Sequence, residues 1–149
     1  RCGQVHPGCD ARGGGLESPP MTRSLLIRFG ASLTFLAVAL GAFGAHGLRD
    51  LLERNGTAHT WETAVFYHFV HSLGLLLLAA LTAGARSPKG PGLCFLAGIV
   101  LFSGSLYALA LTGVKLLGAI TPLGGVAFLV GWAWVALTGL ADRGERGAR

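Results

Sequence analysis

Thr63–Ala85 reads TAVFYHFVHSLGLLLLAALTAGA, a run with no Asp, Glu, Lys or Arg. The hydrocarbon core of a bilayer, about 30 Å thick, is crossed by roughly 20 apolar residues rising about 1.5 Å each in a helix, so this run is long enough to span it. Phe29–Ala45, Gly90–Val114 and Leu116–Ala141 are equally free of those side chains. Four such runs in a chain of 149 residues have no use in water. They predict an all-α integral membrane protein, a bundle of four transmembrane helices with approximate spans 29–46, 62–84, 92–113 and 123–140 in a membrane domain over 21–141. The composition agrees, with 52% hydrophobic and 13% charged residues and a mean hydropathy of +0.58. That charged fraction is about half the soluble average.

The net charge of +5 would suggest a nucleic-acid partner in a soluble chain. Here no basic, aromatic face exists to support one. The basic residues lie between and beyond the apolar runs, where they orient the protein and meet anionic head groups. Arg23, Arg28, Arg86, Lys89, Arg143, Arg146 and Arg149 fall on one side, and Arg49, Arg54 and Lys115 on the other. The positive-inside rule therefore predicts that both termini, including a charged tail at 142–149, and the loop between spans two and three are cytoplasmic. The outward first connection carries Asp50, Glu53 and Glu62, and its Leu48, Leu51 and Leu52 suit one edge of a short interfacial helix.

Residues 1–20 (RCGQVHPGCDARGGGLESPP) have no apolar periodicity and are rich in Gly, Pro and Arg. The one methionine, Met21, directly precedes the first apolar segment. The expectation is that translation starts at Met21 and that 1–20 is disordered read-through of upstream sequence. A transit peptide would lack the acidic Asp10 and Glu17. Cys2 and Cys9 lie in this tail and Cys94 in the third span, a distribution that implies no disulfide framework.

On a helical wheel of the second span, Val65, Phe66, Phe69, Val70, Leu73, Leu76 and Leu77 occupy a broad face expected to meet lipid. Ala64, Tyr67, His68, His71 and Gly74 fall opposite and point inward. Counted from Trp61 at the outer interface, His68 lies about 10 Å deep and His71 about 15 Å deep. The third span brings Tyr107, Ser105 and Ser103 to similar depths, and His46 ends the first span at the outer boundary. The candidate site is thus an intramembrane polar cluster of His46, Tyr67, His68, His71, Ser103, Ser105 and Tyr107.

Three readings of that cluster stand. The plainest is hydrogen bonding between helices, worth about 0.6 kcal/mol per bond. The second is a proton or solute path, since ionisable groups inside a membrane are functional candidates. The third, metal or haem ligation by His68 and His71, has neither a third protein ligand nor a facing histidine at matching depth, so no metal or cofactor is expected. Reactive arrangements are also missing from the sequence: no Gly-x-Ser-x-Gly elbow, no phosphate loop, no HExxH and no pair of buried carboxylates. The expectation is a protein that is not an enzyme. Its partners would be the lipid bilayer and either a second copy or a larger membrane complex.

Small residues mark expected helix contacts. Ala37, Gly41 and Ala45 recur every four residues in the first span, Gly104 and Ala108 share that spacing in the third, and Gly124 and Gly125 follow Thr121-Pro122 at the start of the fourth. Rows of this kind let helix backbones approach closely where no hydrophobic drive operates between helices. Thr121 and Pro122 also suit an N-cap and first helical turn.

Several ordered motifs carry a family resemblance. They are Gly41-Ala42-Phe43-Gly44-Ala45-His46-Gly47-Leu48, then Trp61-Glu62-Thr63-Ala64 leading to Tyr67-His68 and His71, then Phe102-Ser103-Gly104-Ser105-Leu106-Tyr107, then Ile120-Thr121-Pro122-Leu123-Gly124-Gly125 with Gly131-Trp132. In that order they resemble the transmembrane protein 256-like family (domain of unknown function 423), over essentially Met21 to Leu140. The resemblance implies a small multi-span protein of the bacterial inner membrane and brings no established reaction. A long N-terminal extension is atypical of the family.

Overall fold

The computed structural model describes residues 23–82 and 89–138. They form α1 (Arg23–His46), a short α2 (Arg49–Asn55) and α3 (Ala58–Leu81). A third long helix is built from α4 (Lys89–Gly98), a π-helical segment (Ile99–Ser103) and α5 (Gly104–Thr112). A 3-10 turn (Lys115–Ala119) then leads into α6 (Thr121–Thr138). Four stretches, Arg23–His46, Ala58–Leu81, Lys89–Thr112 and Lys115–Leu137, are long and apolar enough to cross a membrane. The expected all-α, four-span architecture is therefore present. Its helices begin earlier than hydropathy suggests, α1 at Arg23 rather than Phe29 and α3 at Ala58 rather than Glu62. Hydropathy marks only the hydrocarbon portion, whereas the intrahelical hydrogen-bond ladder continues through the interface. The expected tails at 1–20 and 142–149 lie outside the described residues.

α3 is the central element, with α1 packed along one side and the α4–π–α5 helix along the other, while α6 lies against α4 and the π segment. Two glycines end helices in the left-handed region that side chains disfavour: Gly56 (φ 64°) after α2 and Gly113 (φ 72°) after α5. The exposed carbonyls at the end of α5 are satisfied from another helix. Thr57 Oγ1 donates to Ala110 O at 2.9 Å, and Asn55 Nδ2 donates to the same oxygen at 3.3 Å. At the opposite end, Arg23 Nε donates to Ala79 O at 3.2 Å, tying the start of α1 to the last turn of α3. Both ends of the bundle are thus closed by side chains that cap a neighbour's unpaired carbonyls. The expected interfacial helix is α2, with Leu52 buried and Leu48 and Leu51 half-buried.

The core has two apolar ends. Leu26, Leu75, Leu78, Ala79, Phe95, Ile99 and Phe128 form one cluster, and Leu52, Trp61 and Ala110, with Tyr107 packed against them, form the other. Among the described residues, His68, His71, Ser72, Ser103 and Ser105 are the buried polar residues between these ends.

The small residues make contacts that differ in part from those expected. On α1 the buried row is Gly30, Ala37 and Gly44, not Ala37, Gly41 and Ala45. A Cβ at Gly44 would collide with the Trp61 indole, and one at Gly30 would come within 2.8 Å of Leu76 Cδ2. Gly41 is half-buried beside Val65, and Ala45 is exposed. The reason is rotational. Seven residues advance the wheel by about −20°, so a seven-residue row stays on the contact line of two nearly antiparallel helices; each four-residue step turns about 40° away from it. Gly104 is also corrected: it is exposed, with no neighbouring atom within 4 Å of a Cβ placed there, while Ala108 is half-buried. Gly124 does what was expected, since its Cβ would strike the Phe102 backbone nitrogen, and Gly125 lies at ordinary contact distance, 3.8 Å, from the Phe102 ring.

Candidate functional site

The site is a polar layer carried by α3, the π segment, α5 and the start of α6. Its shape follows from the central position of α3. Because α1 covers one side of this helix, Val65, Phe69, Val70 and Leu76 are half-buried rather than lipid-facing, and Leu75 and Leu78 are fully buried. Tyr67, expected inside, is 37% exposed. A two-sided wheel divides a helix into lipid and protein faces, but a helix flanked by two neighbours has protein on both sides.

His68 and His71 point into the bundle as expected, 3% and 4% exposed. The His68 Nδ1 lies 3.3 Å from the Tyr107 hydroxyl. The Tyr107 ring in turn packs on Trp61, with centroids 4.7 Å apart. His71 is differently held. Its Nδ1–H donates to Tyr67 O at 2.8 Å, one turn back in the same helix, which defines its neutral tautomer. Its ring stacks on Phe128 of α6 at a centroid distance of 3.5 Å and meets Phe95 edge-on at 5.6 Å. Tyr67 and Trp132 complete the aromatic surround at 5.9 and 6.2 Å.

The two serines differ in their partners. Ser105 Oγ donates to Phe102 O at 2.9 Å and shares a second hydrogen bond of 2.9 Å with Thr121 Oγ1. Thr121, expected to cap α6, is instead its first helical residue, and its hydroxyl bridges α5 to α6. Ser103, at the end of the π segment, is fully buried, and among the described residues its Oγ has no hydrogen-bond partner. The same holds for His68 Nε2. Tyr107 lies one turn beyond Ser103 and, like other long helical side chains, leans toward the N-terminal turn, which is the turn of Ser103. The Tyr107 hydroxyl and the His68 ring meet at 3.3 Å, and Ser103 lies four residues before Tyr107 on the same helix. An unpaired buried polar atom costs about 1–3 kcal/mol, which makes these two atoms the chemically conspicuous feature of the interior.

His46 does not join this layer; it is exposed at the last turn of α1, beyond the Trp61 level. The missed members are Phe128, Phe95 and Trp132, which surround His71, and Thr121, which meets Ser105; one-helix periodicity carries no trace of these partners. The π segment was missed too. Such insertions recur at functional sites in helices, but nothing in ILE-VAL-LEU-PHE-SER (99–103) distinguishes it from α-helical sequence. Among the described residues, no three His, Cys, Asp or Glu side chains converge as a metal site would require.

Fold and site together define a small multi-pass helical membrane protein with a histidine-bearing, aromatic-lined interior layer. The family follows from comparison. The model of the family described as "Protein of unknown function (DUF423)" matches residues 40–125, which include every candidate polar residue. The UPF0382 membrane protein YwdK of Bacillus subtilis is 47% identical over 116 residues, 76% of this chain and 94% of the relative. A UPF0382 membrane protein of Staphylococcus epidermidis is 46% identical over 122 residues, 80% of this chain and 98% of the relative. A third, SH2409 of Staphylococcus haemolyticus, is 42% identical over 115 residues. The chain belongs to the DUF423 family and is a multi-pass protein of the bacterial plasma membrane. No solved structure matches it.

Proposed function

We propose that the protein is a non-enzymatic accessory or assembly component that works through contacts between membrane helices, with a second copy or within a larger complex. The observation that carries this reading is Gly104. It faces outward with open space around it, in line along the helix with exposed Leu93, Ala97, Val100 and Leu111 and half-buried Ala108. A small residue on a lipid-facing surface gives a partner helix close backbone approach. Inside the bundle, by contrast, Ser72, His71, Ser105 and Thr82 bond to carbonyls of their own helix, which is the pattern of packing groups. Crosslinking in native membranes tests the reading: Gly104→Leu should abolish the self-associated or complexed species while leaving the monomer folded. Unchanged association would reject it. The charge distribution supports an orientation with both termini cytoplasmic, and a C-terminal reporter active only in the cytoplasm checks it.

A second reading, a proton-coupled solute transporter or channel subunit, is favoured by one observation, that two buried polar atoms of the interior, His68 Nε2 and Ser103 Oγ, have no partner among the described residues. With four spans, an oligomer would be needed to form a path. It predicts pH-dependent flux in proteoliposomes that is lost in His68→Ala and His71→Ala. Flux unchanged in both variants would remove these residues from any path.

A further inference from the structure

A groove of about 520 Å³ opens between α1, α2 and the outer half of α3. That size lies within the range of small-molecule sites, about 300–1,000 Å³. Its inner part is lined by Gly41, Ala45, Val65, Phe66 and Phe69, and its mouth carries Arg49, Glu53 and Glu62. Gly41 and Ala45 turn away from the α1–α3 contact line and present at most a methyl group to the groove. Trp61 forms a fixed wall, its indole N–H donating to Leu40 O at 3.1 Å. From Glu62 to Phe69 the wall descends about 10 Å from the interface into the hydrocarbon region. An apolar channel beneath a charged rim at that depth fits an amphiphile.

The rim charges select the head group. Arg49 Nε donates to Glu53 at 2.9 Å, which leaves the terminal guanidinium N–H groups for a second, forked acceptor such as phosphate. The hydrogen bond to Glu53, with that carboxylate's charge, raises the Arg49 pKa further above its ordinary value. Glu62 is largely exposed and among the described residues meets only His59, at 3.8 Å. An anionic lipid without an amine would satisfy Arg49 but bring its charge beside two carboxylates. A head group with both phosphate and ammonium complements all three.

We propose that this groove binds one aminophospholipid, with its phosphate on Arg49, its amine on Glu62 and Glu53, and an acyl chain along Val65, Phe66 and Phe69. The test is native mass spectrometry of the full chain released from nanodiscs containing equal phosphatidylethanolamine and phosphatidylglycerol. One phosphatidylethanolamine should be retained per chain, at about tenfold preference over phosphatidylglycerol, equivalent to about 1.4 kcal/mol. Ala45→Phe, at an exposed position, fills the apolar part of the groove with a ring and should abolish retention. Glu62→Gln should reduce the preference, and Arg49→Gln should weaken retention of both lipids. Equal or greater retention of phosphatidylglycerol, or retention indifferent to Ala45→Phe, would overturn the proposal. So would an oligomer that Ala45→Phe dissociates without changing bound lipid, since a second copy would then occupy the groove. Tryptophan emission checks the fold of the plugged variant; should it misfold, Glu62→Gln, on an exposed side chain, decides.

Discussion

Gly44→Ala is the sharpest test of the α1–α3 seam. A Cβ at Gly44 would collide with the Trp61 indole at Nε1, the atom that donates to Leu40 O. Trp61 is 4% exposed and packed against Tyr107, so the indole has little room to retreat. Overpacking of this kind costs about 1–3 kcal/mol. Loss of the indole hydrogen bond adds about 0.6 kcal/mol by membrane-protein averages. Alanine's helical advantage over glycine returns about 1 kcal/mol. The net expectation is a loss of about 0.5–2.5 kcal/mol. The same substitution elsewhere supplies an internal scale. Gly30→Ala meets Leu76 Cδ2 at 2.8 Å and its backbone nitrogen at 3.2 Å, a looser approach than at Gly44 that should cost less, Gly41→Ala meets Val65 Cγ1 at 3.3 Å and should be close to neutral, and Gly104→Ala meets nothing. Reversible unfolding in mixed micelles, followed by Trp61 fluorescence in a background with Trp132 and Trp134 replaced by Phe, measures the series. Gly44→Ala as stable as Gly104→Ala, with unaltered Trp61 emission, would refute the close contact at this end of the bundle.

Other substitutions probe the remaining contacts. Thr57→Val should cost about 1 kcal/mol through its buried bond to Ala110 O, and combining it with Asn55→Ala should be non-additive because both donate to that carbonyl; additive losses in an unfolding cycle would deny the shared acceptor. Ser103→Ala should be neutral or stabilising by about 1 kcal/mol, because it removes a buried hydroxyl without a partner, and a marked loss of stability in the same unfolding assay would reveal an interaction there. His71→Phe keeps the stack on Phe128 and forfeits only the bond to Tyr67 O, about 0.6 kcal/mol, whereas His71→Ala opens a cavity among aromatic rings and should cost about 2–5 kcal/mol. Equal stabilities for these two His71 variants would show that the stack contributes nothing.

What could be read along the chain was whatever depends on one segment at a time. Four uninterrupted apolar runs require four spanning helices, because a bilayer leaves backbone groups no other partners. The i, i+3 spacing of His68 and His71 placed them on one face, and their inward orientation followed from the apolar residues opposite. Leu48, Leu51 and Leu52 marked α2 by the same local logic. What depends on which helices meet, and at what angle, was decided only in three dimensions. The contact row on α1 is Gly30, Ala37 and Gly44 because the crossing geometry selects a seven-residue seam over a four-residue one. Gly104 faces outward because α3 and α6 occupy other sides of its helix. The pairing of Thr57 with Ala110, of His71 with Phe128 and of Ser105 with Thr121 joins residues 53, 57 and 16 positions apart. Periodicity within a helix carries no information about such partners; the packing of α3 between its neighbours supplies it.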